Sequence, residues 1–314
     1  MLRTISQESP DFYALDALQA GWEFDVTQMT PSIEPSSARL IQSDRVSLVP
    51  MALNAGFNQT IVAKPGYINF GLPAVGSTPI WVGDQAITVD KLVLFPTGEQ
   101  GTSVSSAGFK ATAIHLLQSQ LDELLQVVFH RTMDDLLART GANKLLASDQ
   151  DALRRELSGW DYLAHSQRQA PGALLRQREE MLAESILGHV FRSEIGDSPR
   201  ALKSERAMNT ALEFIRDEAQ GEISVTRLCK VAGCSISTLE YSFSRRFGVT
   251  PKRYIKSLQL SRVRRELSRF SEMEYRSITD IATKHGIWHM GQFAADYRKL
   301  FGELPSETEA RCRT

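Results

Sequence analysis

A chain of 314 residues, 42% hydrophobic and 23% charged, has room for about two ordinary globular domains. Its three cysteines make no even-numbered disulfide framework, no run approaches the ~20 apolar residues of a membrane span, and Glu8, Asp11 and Asp16 interrupt any export signal, so a cytoplasmic protein without a membrane partner is expected. The net charge of -1 hides a split, 21 Lys and Arg against 14 Asp and Glu in residues 200–314 and 15 against 23 before them, which points the C-terminal part toward a polyanion.

Residues 24–117 read as β structure. Short apolar runs at 46–52, 59–62, 67–72, 80–82, 91–95 and 109–117 are punctuated by turns such as Lys64-Pro65-Gly66 and Pro96-Thr97-Gly98. Many short strands at this spacing predict a sandwich or barrel. From Gln118 the period becomes helical: Leu121, Leu124, Leu125, Val128 and Phe129 form one apolar stripe, a candidate for core packing or a homodimer seam. Further helices are expected over 135–140, 150–166 and 174–191. The predicted domains are residues 1–195, a linker over 196–206 carrying Gly196, Ser198 and Pro199, and residues 207–314.

The last ~110 residues contain a degenerate repeat. Leu228/Ile281 and Gly233/Gly286 match at an offset of 53, whereas Leu239/Phe293, Phe243/Tyr297, Arg245/Lys299, Phe247/Phe301, Gly248/Gly302 and Pro251/Pro305 match at 54. Each copy has a short helix, a Gly-containing turn and a second amphipathic helix, the pattern of a helix-turn-helix. In the first copy 225–232 supports and 237–247 recognises, with Ser235 or Ser237 able to cap. In the second, 277–285 supports and 289–301 recognises. The connector 252–270 has no interior Pro or Gly; a 20-residue helix is ~30 Å long, near the ~34 Å between successive major grooves on one face of B-DNA.

Residues 208–307, including GCSISTLEYSFSRRFGVTPKRYI and SITDIATKHGIWHMGQFAADYRKLFGELPSE, resemble the AraC/XylS family of bacterial transcription regulators. Part of the second block also looks like a subgroup that includes regulators of ethanolamine-utilisation operons. The resemblance implies an α+β architecture: an N-terminal cupin-like β domain with flanking helices that binds an effector, and a C-terminal all-α double helix-turn-helix domain. It also implies an activator with promoter DNA, RNA polymerase and an effector as partners. Carried over by position, Ser237, Thr238, Glu240, Tyr241 and Arg245 would meet bases from the first recognition helix, and His289, Met290, Gln292 and Asp296 from the second. Glu240 suits a cytosine amino group and Gln292 an adenine. Arg246, Lys252, Arg298 and Lys299 would hold phosphates.

No catalytic motif, phosphate-binding glycine loop or metal-ligand cluster stands out, and His115 is the single histidine of the β region, so neither an enzyme nor a resident cofactor or metal is expected. Cys229 falls in an apolar register and reads as a buried thiol. For the effector, Tyr67, Asn69, Phe70 and Trp81 are pocket candidates for a small polar metabolite. Ser103-x-Ser105-x-x-Gly108, with Arg39 and Arg45 before it, looks like a degenerate PilZ signature for cyclic di-GMP. The rival reading is a ligand-binding scaffold whose C-terminal helices contact protein.

Overall fold

The computed structural model describes residues 2–9, 22–32, 34–63, 65–83, 85–95, 100–166, 171–192, 203–217, 223–268 and 277–312. The N-terminal part contains strands β1 (Arg3–Ser9), β2 (Trp22–Gln28), β3 (Ser36–Gln42), β4 (Val46–Leu53), β5 (Phe57–Ala63) and β6 (Tyr67–Pro73). They are followed by β7 (Ile80–Val82), β8 (Gln85–Ile87), β9 (Lys91–Leu94), β10 (Gln100–Ser105), β11 (Phe109–Leu117) and β12 (Gly141–Lys144). They form two antiparallel sheets, in the orders β1-β3-β4-β11-β6-β9-β12 and β2-β5-β10-β7-β8. The β region thus starts at Arg3, earlier than the apolar runs indicate.

Side-chain alternation along β11 explains the layers. Ala111, Ala113 and His115 face a cavity between the sheets, while Ile114 and Leu116 lie buried in a second core shared with helices. Those helices are α1 (Gln118–Leu124), which runs into a π-helical turn at Leu125–Phe129, α2 (Met133–Leu137), α3 (Ala147–His165) and α4 (Gly172–Arg192). Leu121, Leu125, Leu136, Leu153, Trp160 and Ile186 pack there against Ile68, Phe70 and Leu72. The central strands of the seven-stranded sheet are therefore buried on both faces, so that even the polar Ser47 and Asn69 are enclosed within β4 and β6. Most of the stripe after Gln118 is spent inside the chain; Val128 is its exposed member.

The C-terminal part is helical: α5 (Lys203–Asp217), α6 (Val225–Ala232), α7 (Ile236–Phe247), α8 (Pro251–Ser268), α9 (Ile278–Lys284), α10 (Met290–Phe301) and α11 (Pro305–Cys312). Most of the expected linker lies outside the described residues, and α5 begins four residues before the expected domain start. Caps set the helix starts: Ser224 accepts from the Arg227 amide at 3.2 Å, Ser235 from the Thr238 amide at 3.2 Å, and Ser277 forms a capping box with Asp280. Gly248 and Gly302 end α7 and α10 at φ 68° and 79°, left-handed backbone that a side chain would strain. Two cores follow the repeat. Leu228, Leu239, Phe243 and Phe247 fill one; Ile281, Phe293, Tyr297 and Leu300 fill the other. The Gly-x-x-Pro ending adds α11, tied back to α8 by the buried Arg264, which pairs with Glu303 at 3.0 Å. Cys229 is half-buried at the edge of the first core rather than enclosed.

The two parts share a seam. Met29 and Val104 are buried in one cluster with Met208, Ala211, Ile215, Phe247 and Tyr254. The Gln28 amide donates to Ser261 Oγ at 3.2 Å, Gln28 Nε2 to the Leu300 carbonyl at 2.9 Å, and Asn58 Nδ2 to Tyr254 Oη at 2.7 Å. Arg265 adds an ion pair with Asp25.

Candidate nucleic-acid interface and ligand cavity

The first recognition helix is α7. Leu239, Phe243 and Phe247 anchor it, with the rings of Phe243 and Phe247 5.3 Å apart and Tyr254 edge-on to Phe243 at 5.3 Å. Its opposite stripe exposes Ser237, Glu240, Tyr241 and Arg245, with Thr238 half-exposed beside the Ser235 cap. Arg246 points the other way: it is buried and donates to Asn209 Oδ1 at 3.1 Å. That placement removes it from the phosphate-facing set, because helix geometry sends adjacent residues about 100° apart.

The second recognition helix, α10, buries Phe293, Tyr297 and Leu300 and exposes His289, Gln292, Arg298 and Lys299. Met290 instead packs partly into the core below it. Asp296 bonds Lys256 of α8 at 2.5 Å; partial burial works against its charge, yet the bonds from Lys256 and Gln292 hold the carboxyl below its usual range. Asp296 is thus an intrachain partner in this arrangement. Lys252 is exposed at the start of α8.

The proposed effector residues split between faces. A cavity of about 70 Å³ lies between the sheets, walled almost entirely by hydrocarbon from residues such as Met51, Ile61, Val93 and Phe109, with Gln59, Ser103 and His115 as polar members. Ser103 is 1% exposed and its hydroxyl has no hydrogen-bond partner among the described residues. Asn69, on the same strand face, bonds His115 Nδ1 at 2.8 Å, and burial pushes the imidazole pKa down to about 3. Tyr67 is half-buried at the start of that strand and is not part of the cavity wall, and Phe70 faces the helices.

Arg39 lies between the inward Ala38 and Leu40, so it projects from the outer face and pairs with Asp161 of α3. Arg45 sits in the β3–β4 turn, Ser105 is buried near Gln59, and Gly108 turns β10 into β11 at φ 83°. The dinucleotide signature is therefore not brought together: Arg39 lies on the outer face of one sheet and Ser103 faces the sandwich interior from the other. Trp81 likewise turns outward, away from the cavity that Ile80 and Val82 line.

Residues 228–311 match the family described as a helix-turn-helix domain. Over 34% of its length the chain is 30% identical to a probable AraC family transcriptional regulator from Rhodopseudomonas palustris CGA009, covering 98% of that structure at a TM-score of 0.32. The C-terminal region carries a helix-turn-helix domain. The XylDLEGF operon transcriptional activator of Pseudomonas putida is 33% identical over 142 residues, 45% of this chain and 41% of the relative. The transcriptional activator RhaS of Escherichia coli O1:K1 is 27% identical over 205 residues, 62% of this chain and 71% of the relative. The chain thus spans about two fifths of the length of the Pseudomonas activator it matches.

Two features of the helix-turn-helix domain escape the sequence reading. Trp288 is 71% exposed in the turn before α10. Its signal is a large aromatic with no apolar neighbour at helical spacing. The other is tertiary: Arg245 lies over the Trp81 ring, 5.7 Å from its centroid, so the last turn of α7 touches the N-terminal sheet.

Proposed function

We propose that this chain is a transcription activator that binds promoter DNA through both helix-turn-helix units under control of a small effector held by its N-terminal domain. The observation that carries the reading is the pair of helices α7 and α10, each closed by a left-handed glycine, each anchored by buried aromatics and each leaving a polar, partly cationic stripe exposed. The 18-residue α8 is about 27 Å long, a spacer suited to neighbouring major grooves. RNA polymerase follows as a partner from the activator reading, and Val127 and Val128, exposed after α1, offer a second copy an apolar contact.

The sandwich cavity supports a particular effector chemistry. It suits a molecule of a few heavy atoms, mostly apolar, with one group that bonds the Ser103 hydroxyl. Cyclic di-GMP exceeds that space, and a charged ammonium would lose its hydration without a counter-charge on the wall. The test is selection of duplexes from a randomised library by the full chain. Enriched sites should carry two conserved segments about one helical turn, ~10 bp, apart. Absence of any enriched duplex would favour a scaffold that uses these helices for protein contacts.

A further inference from the structure

A second, larger cavity of about 300 Å³ lies in the seam between the domains. Its floor is the outward face of the five-stranded sheet. Strand register sets Asp25, Thr60 and Thr102 side by side across β2, β5 and β10, and sets Thr27 opposite Asn58 in the neighbouring row. These positions alternate with Gln59, Ile61 and Ser103, which face the sandwich interior, so the two cavities lie on opposite sides of one sheet.

The roof is cationic. Arg216 of α5, Arg246 of α7 and Arg262 of α8 converge on the cavity from three different helices, joined by the Tyr254 phenol. Asp25 and Glu213 are the acidic members of the lining; Asp25 pairs with Arg265 and its charge also acts on Arg262, while Arg246 donates to Asn209 of the same wall, so two acids stand against the three roof arginines. Guanidinium forks match the planar edges of phosphate oxygens, and a row of hydroxyls supplies rotatable donors for the remaining oxygen lone pairs. A hydrocarbon ligand would leave these groups dry, at a cost of desolvation. Volume near the lower end of small-molecule pockets limits the occupant to a compact molecule.

We infer that the seam cavity binds a small phosphate-bearing metabolite, which bridges the Thr60–Thr102 floor and the arginine roof. Such a ligand contacts both domains at once, so it stabilises the docked arrangement in which Arg245 rests on Trp81. The inference stands apart from the effector of the sandwich interior and from DNA binding, since it is read by direct binding to the chain.

Calorimetric titration of the full chain at constant ionic strength tests it, with ribose 5-phosphate, GMP and inorganic phosphate as probes and ribose and guanosine as uncharged controls. Saturable binding is expected for at least one phosphorylated probe and for neither control. Arg216 is exposed, so Arg216→Gln is tolerated by the fold, and with Thr60→Val it should weaken binding about tenfold or more. Arg155→Gln, an equal loss of charge on the exposed face of α3 away from both cavities, should leave binding unchanged. Preference for GMP over ribose 5-phosphate would identify a nucleotide, and the reverse a sugar phosphate. No saturable binding by any phosphorylated probe, binding unaltered in the Arg216→Gln and Thr60→Val variants, or equal weakening by Arg155→Gln would each overturn the assignment.

Discussion

Asn69 and His115 are paired across β6 and β11, and both are almost fully buried. The His115 imidazole bonds Asn69 Oδ1 through Nδ1, and burial keeps the ring neutral down to about pH 3. In the unfolded chain the same group takes up a proton near pH 6.5. The unfolded state therefore binds protons first, and the contribution of His115 is complete above pH ~6.5 and declines as the pH falls toward 3. His189 and His285 are also lowered, by burial first, and share this direction. Urea midpoints measured between pH 7 and 4 should fall, and His115→Gln, which keeps a hydrogen-bonding group but does not titrate, should flatten part of that fall. An identical slope in wild type and variant would contradict the assignment. At this scale the sequence is readable in residue type but not in direction. Arg39, Trp81 and Ser103 all have the chemistry of ligand-binding residues, yet only Ser103 has the strand parity that turns it inward.

At the scale of elements, what was legible was what is local. Ser224, Ser235 and Ser277 cap helices through their own next turn, and the i, i+4 aromatic pairs Phe243/Phe247 and Phe293/Tyr297 meet without help from distant chain. Helix α6 consequently begins and ends where its sequence pattern does. Strands β3, β8, β10 and β12 are different. β10 reads GTSV with polar residues facing both a cavity and the seam, and β12 exists because Gly141–Lys144 finds β9 after an intervening helical stretch. Their pairing is tertiary, so no periodicity announces it. The turn before α10 yields a second prediction. Trp288 packs into no core, so Trp288→Ala should change stability by no more than about 0.5 kcal/mol. It should nevertheless weaken binding to a selected duplex about tenfold, as expected when an aromatic ring is removed from a nucleic-acid surface. Full affinity in the variant would leave Trp288 outside the interface.

At the scale of the molecule, the seam joins the β sandwich to two helix-turn-helix units through a few interactions of different kinds: a buried apolar cluster, the Gln28 and Asn58 hydrogen bonds, and Arg245 on Trp81. Charge asymmetry in the sequence points one part toward a polyanion, but it does not show that Arg246 and Arg262 turn toward the seam. That division leaves Arg298 and Lys299, both exposed on α10, as the clearest candidates for phosphate contact. The most direct test of the account is a salt series, from 50 to 200 mM, on binding of the full chain to a selected duplex. Affinity should fall steeply on a logarithmic plot, and Arg298→Ala with Lys299→Ala should reduce the slope by about 0.9 for each phosphate no longer neutralised. Binding that is insensitive to salt, or a slope unchanged in the double variant, would contradict the interface described for α10.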